Sequence, residues 1–122
     1  MFFAASLLTS WQGNAQDGFE KELDRLYKYT VPLMDLQRFG ELDKEEIYVL
    51  DTREKQEYTT SHIKDARWVG YDSFELQSVD DIPKDATVIV YCSVGYRSER
   101  VGEQLQKAGY AKVFNLYGGI FN

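Results

Sequence analysis

Apolar positions along the chain fall into short runs separated by charged or turn-forming stretches. From Asp17 to Tyr29, Phe19, Leu23, Leu26 and Tyr27 recur at helical spacing, and Asp17 suits an N-cap, so a helix is predicted there. Val31 to Met34 predicts a short strand, and Asp35 caps a short helix holding Leu36 and Phe39 that Gly40 ends. Ile47 to Leu50 is a continuous apolar run that stops at Asp51, the pattern of a strand buried on both faces. Glu54 to Ser61 is polar and helical at its start, and Ala66 to Val69 predicts a third strand. Tyr71 to Val79 fits neither period, and Ile82-Pro83-Lys84-Asp85 reads as a turn. Thr87 to Tyr91 is β-branched or aromatic throughout, the clearest strand, and it runs straight into Cys92. Ser98 to Ala108 predicts a helix with Val101, Leu105 and Ala108 on one face and Gly109 just past its end. Val113 to Leu116 is the last strand, with a Gly118-Gly119 turn after it. Strands alternating with helices imply an α/β fold whose sheet is mostly parallel.

The 122 residues suffice for one domain with its own core, and an aromatic share of 15% argues against disorder. A net charge of -6 repels phosphate backbones and anionic lipid, so nucleic acid and membrane surfaces are poor partners. One Cys and one His exclude an internal disulfide and a multi-Cys zinc site, and only His62 could serve in a Ser-His-Asp arrangement. Phe2 to Leu8 is apolar but far short of the roughly 20 residues a membrane span needs. Gly13 and Ala15 are small residues spaced for cleavage after Ala15, although no Lys or Arg precedes Lys21. Residues 1–16 are therefore expected to be an export-signal remnant of a periplasmic or exported protein, with the domain over 17–122. The alternatives are a disordered N-terminus or a frayed segment that packs on the domain, in a cytoplasmic protein.

One constellation carries chemistry. Cys92-Ser93-Val94-Gly95-Tyr96-Arg97-Ser98 lies between the clearest strand and the clearest helix. Ligands in open α/β sheets bind just past the carboxyl ends of strands. The helix that follows would point its free N–H groups and positive dipole end at the loop. Gly95 lets the loop curl so that successive N–H groups face one centre, and Arg97 adds a full charge. These features favour a thiolate at Cys92, would bind a small anion, and would stabilise a persulfide. The plainer reading is a buried, inert cysteine at a strand end.

Four stretches, in order, resemble the rhodanese family of sulfurtransferases. Val49-Leu50-Asp51-Thr52-Arg53 resembles its strand ending in Asp-x-Arg. Glu57-Tyr58 and Ser61-His62-Ile63-Lys64-Asp65-Ala66 resemble its Glu-aromatic step and Gly-His-Ile-Pro-Gly-Ala turn. Cys92 to Ser98 resembles its Cys-x-x-Gly-x-Arg-Ser loop, and Val113 to Ile120 its closing strand and Gly-Gly turn. The match covers roughly residues 30–122. Ser61 and Lys64-Asp65 depart from the family turn, and the family's final Trp-bearing helix is expected to be missing after Asn122.

The resemblance implies a rhodanese-like, five-stranded sheet flanked by helices. It implies transfer of a sulfane sulfur through a Cys92 persulfide, from an anionic donor such as thiosulfate to a thiol or cyanide, with no metal or organic cofactor. Ser93, Val94, Gly95, Tyr96, Arg97 and Ser98 would bind substrate, and Asp51 and Arg53 would support the strand end as an ion pair or contact the substrate. Arg97 is expected to face the anion, the alternative being that it points outward and only its loop backbone matters, and Ser98 is expected to cap the helix with its hydroxyl. Tyr96 lines the mouth or packs; His62 is read as structural; Arg100 and Lys107 are read as solvated. A persulfide carrier serving a protein acceptor, or an interaction module, is the alternative. Phosphatase and arsenate reductase chemistry are disfavoured, because only four residues separate Cys92 from Arg97 where a phosphate cradle has five.

Overall fold

The computed structural model describes residues 30–93 and 95–117. The helix expected over 17–29, the export segment, Val94, the Gly118-Gly119 turn and the chain end lie outside the described residues. The elements are β1 Leu33–Asp35, α1 Leu36–Glu41, β2 Ile47–Asp51, α2 Lys55–Thr60, β3 Arg67–Trp68, a 3-10 turn at Leu76–Val79, β4 Thr87–Tyr91, α3 Tyr96–Lys107 and β5 Lys112–Tyr117. All described pairings are parallel, in the order β1-β5-β4-β2-β3.

The apolar runs are buried on both faces, as parallel strands flanked by helices require. Along β4 the side chains alternate. Val88 and Val90 pack with Val101 and Leu105 of α3, and with Val31 and Val113. Ile89 and Tyr91 pack on the other face with Phe39 of α1, Met34, Ala66 and Leu116. The chain leaves β2 toward β3 on one side and β4 toward β5 on the other, so the sheet's switch point lies between β2 and β4.

Several boundaries differ from the sequence expectation. The first strand begins at Leu33 rather than Val31 and runs to Asp35, pairing with Asn115 to Tyr117. Gly40 does not end α1: the helix continues to Glu41 and stops at Leu42, whose backbone is extended. β3 keeps only two residues in the ladder, because the Val69 and Gly70 N–H groups both turn onto the Asp51 carbonyl. The stretch of mixed period resolves into the 3-10 turn, with Val79 in the core. Gly109 does close α3. At φ 104° it lets its N–H reach the Gln106 carbonyl and the Tyr110 N–H reach the Leu105 carbonyl, a Schellman closure.

Two glycines test the packing. A Cβ on Gly102 of α3 would lie 2.9 Å from the buried Val31 side chain, whereas one on Gly40 would meet nothing within 4 Å. Alanine gains roughly 1 kcal/mol over glycine inside a helix, but overpacking a core costs about 1–3 kcal/mol more than the site can absorb by small shifts. Gly40→Ala is therefore expected to stabilise the fold by about 0.5–1 kcal/mol and Gly102→Ala to destabilise it. Urea unfolding of the two variants checks this; the same sign for both would contradict the packing described.

Candidate active site

The carboxyl ends of β2 and β4 sit side by side, with Asp51 in register with Tyr91. Thr52 extends that contact, its N–H and hydroxyl both donating to the Tyr91 carbonyl at 3.0 and 2.9 Å. Asp51 is fully buried and Arg53 nearly so. The Asp51 carboxylate accepts the Arg53 N–H at 2.9 Å, Arg53 Nε at 3.0 Å, Arg53 Nη2 at 2.7 Å and the Tyr91 hydroxyl at 2.6 Å. Arg53 Nη2 also reaches the Ser61 carbonyl at 2.6 Å, and the Tyr91 hydroxyl accepts the Ile63 N–H at 3.2 Å. A buried ion pair of this kind is tolerated because further hydrogen bonds satisfy both partners. Burial opposes the charge of Arg53, but the hydrogen bond to Asp51 and its charge outweigh that and raise the guanidinium further. Burial first, then the bond to Asp51, hold the Tyr91 phenol well above the usual tyrosine range.

Cys92 follows directly and is buried, with 6% of its surface exposed. The Gly95 N–H donates to its Sγ at 2.9 Å, and Ser98 Oγ lies 3.5 Å from it. Gly95 adopts the left-handed conformation, φ 92°, and is the N-cap residue of α3. That turn starts the helix at Tyr96, two residues before the position expected from periodicity. The first intrahelical bond is Glu99 N–H to the Gly95 carbonyl at 3.1 Å. The N–H groups of Tyr96, Arg97 and Ser98 precede it, at the positive end of the helix dipole.

Ser98 is not the cap. It is fully buried in the first turn, and its hydroxyl lies 3.1 Å from the Gly95 carbonyl and 2.5 Å from Asn115 Oδ1. Asn115, buried on β5, donates Nδ2 to the Gly95 carbonyl at 3.0 Å. Ser93 is exposed, with its hydroxyl 3.4 Å from Glu57 Oε2. Tyr96 is half-buried against Tyr71, ring centroids 6.4 Å apart. Arg97 is exposed, 4.0 Å from Glu54 and over the Tyr71 ring. It lines a groove of about 120 Å³ with Arg53, Glu54, Lys55, Trp68, Tyr71 and Asp72. On the Ser93 side a wider groove runs past Glu57 and Ser61.

Other residues settle away from the loop's polar contacts. His62 stacks on Tyr58 and bonds that residue's carbonyl through Nδ1 at 2.7 Å. Lys107 is exposed as expected, but Arg100 is not a solvated residue. It is part-buried, pairs with Glu99 and with Glu103, and lies over Tyr96. It is drawn in because Glu99 is itself buried, accepting the Thr30 N–H at 3.1 Å. Among the described residues no cluster of His, Cys, Asp and Glu could hold a metal, and no helix is long and apolar enough to cross a membrane.

Asn115, Tyr91 and Glu99 were not singled out from the sequence. Asn115 carried a signal, one polar residue inside an apolar strand; Tyr91 and Glu99 carried none, since a tyrosine ending a strand and a glutamate in a helix are ordinary.

A family model described as Rhodanese-like domain matches residues 36–122. The chain is similar to a sulfurtransferase of Allochromatium vinosum, 35% identical over 78 residues that cover 64% of this chain and 72% of that protein. It is also similar to the tRNA uridine(34) hydroxylase of Enterobacter sp. (strain 638), 30% identical over 84 residues. There the match covers 65% of this chain but 24% of the hydroxylase, so the chain spans about a quarter of that protein. Among solved structures, a rhodanese-related protein from Thermoplasma volcanium superposes with a TM-score of 0.63 at 23% identity, covering 74% of this chain and 87% of that one.

Tyr91→Phe tests the hydrogen bonds around Asp51. It leaves the buried carboxylate one donor short and the Ile63 N–H without its acceptor, at a cost of about 1–3 kcal/mol. The raised Tyr91 group keeps its proton in the fold while unfolded tyrosines ionise above about pH 10, so its contribution is full below that pH and is lost as pH rises further. Chemical denaturation from pH 7 upward should show the lower stability at neutral pH and a shallower alkaline fall than wild type. A variant as stable as wild type would contradict the role of this hydroxyl.

Proposed function

The chain belongs to the rhodanese-like domain family, and we propose that it is a sulfurtransferase that carries a sulfane sulfur on Cys92. The observation that carries the reading is the Gly95 N–H on Cys92 Sγ at 2.9 Å, at the N-terminus of α3. A backbone donor aimed at the sulfur from a helix N-terminus suits a nucleophile that is anionic before and after it takes up sulfur. The likeness to a sulfurtransferase over most of that protein's length supports it independently.

In the first step the Cys92 thiolate attacks the outer sulfur of thiosulfate. A Cys92–sulfur bond forms, the sulfur–sulfur bond of thiosulfate breaks, and sulfite leaves with the electron pair. The persulfide keeps one negative charge on its terminal sulfur, where the loop N–H groups meet it. A thiolate or cyanide then attacks that terminal sulfur and Cys92 leaves as thiolate, giving a new persulfide or thiocyanate. One nucleophile and two displacements make a ping-pong reaction. Arg97, exposed in the same loop as Cys92 and only 4.0 Å from Glu54, is the side chain we assign to drawing in the dianion, in exchange for that weak pairing. Asp51 and Arg53 bind each other, which supports a positioning role for them rather than a substrate contact.

A persulfide carrier for a protein acceptor is the second reading. The groove beside exposed Ser93, about 470 Å³, favours it, being broad enough to seat part of a partner. A role on tRNA, by analogy with the hydroxylases, is disfavoured by the net charge of -6.

Intact-mass spectrometry after incubation with thiosulfate tests the first step. Wild type should gain the mass of one sulfur atom, removable by cyanide, and Cys92→Ser should gain none. No gain on folded wild type would overturn thiosulfate as donor. In steady state, Arg97→Ala is expected to raise KM for thiosulfate about five- to tenfold with little change in kcat; an unchanged KM would remove Arg97 from donor binding.

A further inference from the structure

The Gly95 carbonyl receives the Glu99 N–H at 3.1 Å and Asn115 Nδ2–H at 3.0 Å, which fill its two lone pairs. The Ser98 hydroxyl has one proton and two remaining acceptors, Asn115 Oδ1 at 2.5 Å and Cys92 Sγ at 3.5 Å. With Cys92 as a thiol, the bonds close into a ring. The thiol donates to Ser98 Oγ, Ser98 donates to Asn115 Oδ1, Asn115 Nδ2 donates to the Gly95 carbonyl, and the Gly95 N–H donates to the sulfur. Ser98 and Asn115 are fully buried, so water does not compete for these groups. Once the sulfur is charged it has no proton to give. The Ser98 hydroxyl, 2.5 Å from Asn115 Oδ1 and 3.5 Å from the sulfur, then shares its proton between them, and the charge on the sulfur strengthens its share.

We propose that Asn115 is a positioning residue for Cys92: from β5 it fixes the Gly95 carbonyl, and so the residue whose N–H meets the sulfur, and it holds the Ser98 hydroxyl in place beside the sulfur. This rests on the reading of Cys92 as the sulfur carrier. No side-chain base is involved, and Asn115 is fully buried. Its action runs through Gly95 and Ser98.

The test compares the full chain as wild type, Asn115→Asp, Ser98→Ala and the double variant. The Asp variant keeps the shape but replaces the Nδ2 donor with a second acceptor. Two rates are read: alkylation of Cys92 by iodoacetamide, followed by intact mass, and turnover with thiosulfate and cyanide. Asn115→Asp is expected to slow alkylation about tenfold or more. Its kcat should fall in parallel while KM for thiosulfate stays within about twofold, since Arg97 is untouched. Ser98→Ala should slow alkylation several-fold, and the double variant should be no slower than Asn115→Asp alone, because both act through one ring. Alkylation of Asn115→Asp within twofold of wild type, or single effects that multiply in the double variant, would overturn the proposal. Should Asn115→Asp not fold, ¹⁵N spectra of Ser98→Ala decide. The Asn115 side-chain and Gly95 backbone N–H signals are expected to shift together, and an unmoved Asn115 signal overturns it. A wild type that alkylates normally but takes no sulfur from thiosulfate would count against the donor alone, and the alkylation comparison would still decide the role of Asn115.

Discussion

The parallel pairing of β2 with β4, in register from Ile47–Thr87 to Asp51–Tyr91, places two strand ends side by side at the sheet's switch point. From one end the chain turns through Arg53 into α2; from the other it turns through Cys92 into α3. Because α3 begins at the left-handed Gly95, its N-terminus faces back toward the strand it has just left. The sulfur, the helix dipole and the backbone donors are therefore brought together by chain geometry. A helix displaced by a turn would carry its N–H groups away from Cys92.

Two buried polar systems hold this junction. One is the Asp51 carboxylate with Arg53 and Tyr91, which ties the ends of β2 and β4 to each other and to the segment at Ser61 and Ile63. The other is the Gly95, Ser98 and Asn115 set, which ties the loop to β5. Buried polar groups are costly when unpaired and rigidifying when satisfied. Here each group has partners, so the cost is offset and each system holds its heavy atoms in one arrangement. That is the property a site needs if its donors must already point at the sulfur when charge arrives.

The strands and the loop were legible in the sequence because burial on both faces leaves unbroken apolar runs, and Thr87 to Tyr91 ending at Cys92 is such a run. The family resemblance marked the Asp51–Arg53 and Cys92–Ser98 stretches, and the family model matches across both. What escaped was set by tertiary contact. Periodicity starts α3 at Ser98 because Tyr96 and Arg97 carry no capping signature, whereas the helix is opened by the conformation of Gly95. Gly40 reads as a helix stop, yet Leu42 leaves the helical region instead. Arg100 looks solvated until Glu99 is seen to be buried against Thr30. Asn115 is one polar residue in an apolar strand, and its partners, Gly95 and Ser98 at the start of α3, are brought to it only by the fold.

Backbone donors at the start of α3, rather than a side-chain base, are what hold the reactive sulfur in this reading of the site. A crystal structure of the thiosulfate-treated protein tests that most directly. One added sulfur is expected on Cys92, with its terminal atom within hydrogen-bonding distance of the Gly95 N–H and at least one N–H of the first turn of α3. An unmodified Cys92, or a terminal sulfur turned away from those groups toward a side chain, would contradict it.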